Sequence, residues 1–275
     1  MGKNHQLDKN SSIPVIGFGT WNLNNNELKQ ALKTALDTGY QHIDTAEGYK
    51  NEAVIGEVLT EYNRQNIFLT SKVLPSNLNY ENVIQSCKHS LEKLKTDYLD
   101  LYLIHWPNPA ISLRETLWAM KKLKGQGLVK NIGVSNFSRY QLNIALKITP
   151  VPIKVNQVEF HPYRQHKNLR EFCSKNDIIL EAAAPLARGE VLEDNVINKL
   201  AKKYDKTPAE IVLRWEREHG VVPLPKSSSQ NHIKQNLSVL NWEMEQKDIK
   251  QINQINKEKK VYNLSVDDDI YGISS

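Results

Sequence analysis

Two rhythms of hydrophobic and polar positions take turns along this chain. Short crowded runs of β-branched and aromatic residues give way to longer stretches where apolar residues recur every three or four positions. The first rhythm predicts buried strands and the second amphipathic helices. After a polar N-terminal stretch, IGF within VIGFGTW is a short strand. Residues 27–37 are apolar at 28, 31, 32, 35 and 36, a helical stripe that Gly39 ends. HIDT is the next strand and residues 52–59 the next helix. NIFLTSK precedes a helix over 81–94 with apolar positions 83, 84, 87, 91 and 94. YLDLYLIH leads to a helix over 112–124, NIGVSN to one over 138–147 and VNQVEF to one over 167–175. IILEAAA is followed by helices near 195–204 and 208–218, and VVPLP by one over 230–237. A helix over 243–255 stands outside the repeat, and the polar tail from Asn256 loops back over one face.

Strands that alternate with helices make parallel sheets, and eight such units without a linker predict one closed (β/α)8 TIM barrel, with an extra C-terminal helix and tail. The 275 residues suit that fold, which needs about 250, as one domain spanning 1–275. The alternative, an open doubly wound sheet for a dinucleotide, calls for a GxGxxG turn after an early strand. GFGTW has two glycines and runs into a loop, so it is not that fingerprint.

Composition narrows the function. A hydrophobic fraction of 40% supports a sizeable core, and a net charge of +5 is mild. Lys and Arg are scattered among Asp and Glu, leaving no stripe for nucleic acid, while phosphorylated cofactors remain compatible with the charge. Cys87 and Cys173 have no metal-ligand spacing, fall within helix patterns and read as buried thiols. No His/Cys/Asp/Glu set has ligand spacing, so no metal is expected. No apolar run approaches a membrane span, the start lacks a signal-peptide core, and Gln6 breaks a myristoylation pattern. A cytoplasmic location is expected, and there the sequons at Asn10, Asn136, Asn236 and Asn263 carry no glycan.

The chemistry concentrates in four residues. Asp44, Lys72 and His105 fall at or near strand ends, and Tyr49 just after the first of these. Strand ends of a parallel barrel share one opening. A carboxylate, an ammonium, an imidazole and a phenol are the parts needed to protonate a carbonyl oxygen while hydride reaches its carbon. Taken singly, each has a commonplace reading: a packing tyrosine, a solvated lysine, a hydrogen-bonded core histidine. A free tyrosine titrates near about 10, and an adjacent ammonium is expected to lower that value. Asp44 would offset the desolvation of Lys72, and His105 would orient the carbonyl.

GFGTW, DTAEGYKNE, LTSK, LIHWP, GVSNF, VNQVEFHP, PLARG and PLPKSSS follow one another in this order. Together they resemble the aldo-keto reductase superfamily over nearly the whole chain. The short segment after His105 and the modest tail resemble its compact prokaryotic-type members. The resemblance implies that Asp44, Tyr49, Lys72 and His105 form a catalytic tetrad, with Tyr49 as proton donor. It implies NADP(H)-dependent reduction of aldehydes and ketones to alcohols, with small aldehydes or α-dicarbonyls as substrates and a monomer or weak oligomer as the working form. Gly19 and Thr20 of GFGTW match cofactor positions, and Ser135, Asn136 and Gln157 match those that hold the nicotinamide carboxamide. Pro185, Leu186 and Gly189 match a belt around the pyrophosphate. Lys226, Ser227 and Ser228 match the grip on the 2′-phosphate, and Gln235 and Asn236 lie where adenine is contacted. Trp21 and Trp106 match walls of the substrate pocket.

The chain departs from the family pattern in three places. Ala183 and Ala184 replace an aromatic residue and a serine before Pro185, and the aromatic normally stacks on the nicotinamide. Looser nicotinamide packing is expected, or a ring from elsewhere; on this reading Ala183→Tyr tightens cofactor binding. His232 replaces an arginine, a permanent phosphate clamp. The NADP(H) preference is therefore expected to persist with a smaller margin over NAD(H), widening in acid as the imidazole charges. Gln235 replaces an adenine-contacting glutamate. A cofactor-binding regulatory subunit with little turnover is the rival reading. Asp267, Asp268, Asp269 and Tyr271 either cover the site or lie solvated.

Overall fold

The computed structural model describes residues 4–262. Asn263, Asp267, Asp268, Asp269 and Tyr271 fall outside the described residues. The strands among the described residues are β1 (Asn4–Asp8), β2 (Ser11–Pro14), β3 (Phe18–Gly19), β4 (His42–Asp44), β5 (Phe68–Val73), β6 (Leu99–Ile104), β7 (Val129–Ser135), β8 (Ile153–Glu159), β9 (Ile179–Ala183) and β10 (Val222–Pro223), with helices after each from β3 onward. The helices are α1 (Asn25–Thr38), α2 (Glu52–Leu59), α3 (Tyr80–Leu94), α4 (Leu113–Gly125), α5 (Arg139–Ile148), α6 (Lys167–Lys175), α7 (Asn195–Tyr204), α8 (Pro208–Glu218), α9 (Gln230–Leu237) and α10 (Gln246–Asn253).

Strands β3 to β10 pair in chain order, every neighbour parallel. Gly17 N–H donates to the Pro223 carbonyl and Gly19 N–H to the Pro225 carbonyl, each at 3.0 Å, so the two edges meet and the barrel closes. The seam is one-sided because Pro223 and Pro225 have no N–H to return. Leu224 between them points the other way and donates to Ala182 at 3.2 Å. Glycine suits the seam: a Cβ on Gly19 would lie 2.8 Å from the Leu224 carbonyl oxygen.

The helices follow their sequence signals. Asn24 caps α1 by accepting from Glu27 N–H, and Gly39 ends it at φ +111°. Thr207 and Glu210 form a capping box at α8, with Pro208 in its first turn. Cys87 and Cys173 are free and buried, and burial pushes both thiols up to about 12.

One element lies where sequence reading saw only a polar stretch. β1 and β2 pair antiparallel, and their Leu7 and Ile13 pack onto Phe68, Leu101, Leu103 and Val155. Phe68 opens β5 and Val155 lies early in β8, so the hairpin plugs the N-terminal end of the barrel. Two isolated apolar residues make no legible period; the barrel interior supplies their partners.

Candidate active site

The opposite, C-terminal end of the barrel gathers the polar side chains. Asp44 ends β4, Lys72 lies near the end of β5, and His105 directly follows β6. Tyr49 stands in a single 3-10 turn, Glu47–Tyr49. That turn is pinned by Glu47, whose carboxylate accepts from Leu74 N–H and Asn77 Nδ2. Gly48 lets it sit close, since a Cβ there would lie 2.9 Å from Leu74 Cδ2.

Lys72 is fully buried and spends all three ammonium protons. It donates to Asp44 Oδ1 at 2.6 Å, to the Thr45 carbonyl at 2.9 Å and to Tyr49 Oη at 3.2 Å. Burial opposes its charge, but Asp44 and Tyr49 outweigh that and raise its pKa, so it remains an ammonium. Because Tyr49 Oη accepts from Lys72, its own proton has to point elsewhere. Burial is the largest influence on that phenol and raises its pKa; Lys72 opposes and Asp44 adds to the rise. The expected lowering is therefore corrected. The cation is present, but in a dry site desolvation of the phenolate outweighs it.

His105 packs edge-on against the Tyr49 ring, centroids 5.6 Å apart. Burial, then the Lys72 charge, lowers its pKa to about 3, so it is a neutral imidazole with one N–H to donate.

A second layer of polar groups lies beneath. Gln157 Nε2 donates to Asp44 Oδ2 and to Glu181 Oε2, both at 2.9 Å. His42 Nε2 lies 3.0 Å from Thr70 Oγ1 and 3.6 Å from Glu181 Oε1. Burial, followed by the Asp44 charge, raises the Glu181 carboxyl to about 8. Neither His42 nor Glu181 was singled out from sequence. The only signal was a charged residue inside the apolar strand IILEAAA.

The two amides are oriented by their donors. Asn136 Nδ2 spends its protons on the His105 carbonyl and on Ser135 Oγ, both at 2.9 Å. Ser135 Oγ donates in turn to the Gln157 carbonyl at 2.9 Å. Asn136 holds φ at +62°, a left-handed conformation that asparagine tolerates. With their N–H groups engaged, Asn136 and Gln157 have only carbonyl oxygens left for an incoming group. That arrangement fits the two N–H donors of a primary carboxamide.

Other candidates are placed differently. Gly19 N–H belongs to the seam, and the buried Thr20 hydroxyl donates to the Asp44 carbonyl at 2.9 Å. Both build the barrel wall under Asp44. Pro185, Leu186 and Gly189 lie in a loop where Ala184, Ala187, Arg188 and Gly189 all have positive φ. Backbone of this kind clusters at ligand sites. Lys226, Ser228 and His232 are exposed and Ser227 half-buried, just past β10; Ser229 caps α9. Gln235 is half-buried and Asn236 buried on the same helix. Trp21 is 44% exposed and Trp106 half-buried. An apolar hollow of about 360 Å³, lined by Pro107, Pro109, Ile111, Phe137 and Tyr140 among others, includes none of the four central residues. Among the described residues no cluster of three His, Cys, Asp or Glu could hold a metal ion.

Residues 15–257 match the sequence profile of the Aldo/keto reductase family. The chain is 39% identical to a glyoxal reductase of Bacillus subtilis (strain 168), covering 93% of this chain and 94% of that one. It is 37% identical to the methylglyoxal reductase DkgA of Escherichia coli (strain K12), covering 97% of each. A Bombyx mori aldo-keto reductase solved in complex with NADP superposes with a TM-score of 0.90 at 30% identity, covering 95% of both chains.

Proposed function

The chain belongs to the aldo/keto reductase family, and from that premise we propose that it reduces small aldehydes and ketones to alcohols with NADP(H), α-dicarbonyls foremost. Two of its relatives are named for glyoxal and methylglyoxal reduction, which supports that substrate class. The single observation that carries the reaction is the Lys72 ammonium, hydrogen-bonded to Asp44, the Thr45 carbonyl and Tyr49 at once.

On this reading Tyr49 is the acid. Its oxygen accepts from Lys72, so its proton faces the opening, where a substrate carbonyl oxygen would lie. Neutral His105 donates a hydrogen bond to the same oxygen and fixes its direction. When bound, NADPH would be the source of the hydride for the carbonyl carbon. Tyr49 then gives up its proton, and the charge left on its oxygen is met by Lys72. Asp44 keeps Lys72 charged and aimed.

The acceptor oxygens of Asn136 and Gln157 support nicotinamide binding. Pro185, Leu186 and Gly189 are proposed to border the pyrophosphate, with Gly19 and Thr20 shaping the wall beneath the cofactor. Lys226, Ser227, Ser228 and His232 are proposed to meet the 2′-phosphate, and Gln235 and Asn236 the adenine. Trp21 and Trp106 would wall the substrate. NADP(H) is proposed as the preferred cofactor, with NAD(H) also accepted. No helix among the described residues is long and apolar enough to cross a membrane. Cytoplasmic action of residues 1–275 as one domain, monomeric or weakly oligomeric, completes the proposal.

The test is the loss of reduced-nicotinamide absorbance with glyoxal, methylglyoxal and a panel of aldehydes, ketones and sugars, using NADPH and NADH separately. Turnover with the dicarbonyls and NADPH supports the assignment. Tight NADPH binding without turnover of any carbonyl would favour a regulatory role instead.

A further inference from the structure

One wall of the proposed nicotinamide site is thin. β9 ends at Ala183, and no ring follows before Pro185. In the ladder, Ala183 is the direct partner of Glu159, the last residue of β8. The Glu159 carboxylate is the anchor of a strap. It accepts from Val261 N–H at 2.9 Å and Tyr262 N–H at 3.2 Å, and lies 3.1 Å from His161 Nε2. The rest of the strap is fastened as well. Lys257 and Lys259 both donate their backbone N–H to the Tyr163 carbonyl, at 3.1 and 3.0 Å. Lys257 Nζ also stands 3.8 Å from the Tyr163 ring centroid, and Lys259 pairs with Glu190.

This strap delivers an aromatic ring to the mouth. The Arg188 guanidinium lies 5.1 Å from the Tyr262 centroid and 5.4 Å from that of Trp21, bridging the two rings. Burial raises the Tyr262 pKa, with Tyr49, Glu159 and Asp44 adding to the rise and Arg188 opposing it. The Tyr262 backbone is thus anchored on the ladder partner of Ala183, with its ring against Arg188 of the loop that follows Ala183.

We propose that Tyr262 supplies, from the C-terminal strap, the aromatic face against the nicotinamide that Ala183 does not provide, and that Glu159 acts as the positioning residue that holds it there. The inference rests on the NADP(H) reading above. It also changes the expectation for Ala183→Tyr, because a second ring there competes with Tyr262 for one space.

The experiment is equilibrium titration of NADPH, followed by nicotinamide fluorescence, with melting curves to confirm that each variant is folded. Tyr262→Phe keeps the ring and should bind within twofold of wild type. Tyr262→Ala should bind about three- to tenfold more weakly, the scale of one aromatic contact. Ala183→Tyr should bring no gain in wild type yet restore binding in the Tyr262→Ala background. Glu159→Gln should weaken binding when Tyr262 is present and have no effect in Tyr262→Ala. A Tyr262→Ala variant that binds as tightly as wild type, or more tightly, overturns the proposal and leaves the cofactor assignment standing. So does an Ala183→Tyr gain of equal size in both backgrounds. A wild-type chain that does not bind NADPH overturns both.

Discussion

Replacing Tyr49 by phenylalanine removes one oxygen from the centre of the site and disturbs little else. Lys72 loses the 3.2 Å acceptor but keeps Asp44 at 2.6 Å and the Thr45 carbonyl at 2.9 Å. The ring keeps its edge contact with His105 at 5.6 Å between centroids. The buried ion pair and the fold therefore survive, and the change falls on proton transfer. A positioned general acid contributes about 10²- to 10⁴-fold in rate, or about 3–5 kcal/mol of barrier. Steady-state reduction of methylglyoxal at saturating NADPH should lose that much in kcat, with NADPH affinity by fluorescence titration unchanged. The pH profile adds a second reading. Burial holds the Tyr49 phenol above its ordinary value, so wild-type kcat should stay level through neutrality and fall only in alkali. Tyr49→Phe should lack that alkaline fall. A variant that retains turnover within tenfold of wild type would refute the assignment of Tyr49 as the acid.

Glu181 offers a test of the buried layer. Burial and then Asp44 raise its carboxyl to about 8, so between the ordinary carboxylate range and that value it is neutral when folded and charged when unfolded. Its contribution to stability is complete in acid and is lost as pH rises through this window, by at most about 1.4 kcal/mol per pH unit. Relative to wild type, Glu181→Gln should thus gain in melting temperature from pH 5 to pH 8; a constant difference would contradict the shift. At the exposed edge of α9, His232→Arg should widen the NADPH-over-NADH ratio of kcat/KM about tenfold at neutral pH, the scale of a charge-assisted phosphate contact. An unchanged ratio would remove His232 from the phosphate site. Finally, a Cβ on Gly56 would lie 2.1 Å from the Lys93 carbonyl oxygen, where α2 crosses α3. Gly56→Ala should cost about 1–3 kcal/mol by overpacking and lower the melting temperature by several degrees, readable by circular dichroism.

The sequence by itself determined the order of strands and helices, because each element's period is written within a dozen residues. It also marked Asp44, Lys72 and His105 at or next to strand ends, and Tyr49 just after the first of them, as the groups that the fold brings together. What each side chain does with its protons was decided by the tertiary structure. Lys72 meets Asp44 across 28 positions and Gln157 meets Asp44 across 113, distances that only barrel closure removes. A tail that loops back was legible, but the hairpin carrying Leu7 and Ile13, the Glu181–His42 layer and the seat of Tyr262 on Glu159 were not, for the same reason. Their partners lie far away in the chain, and no local period marks them. The direction of the Tyr49 shift also belongs to the tertiary structure: residue types put a cation beside the phenol, while burial, which they do not specify, outweighed it.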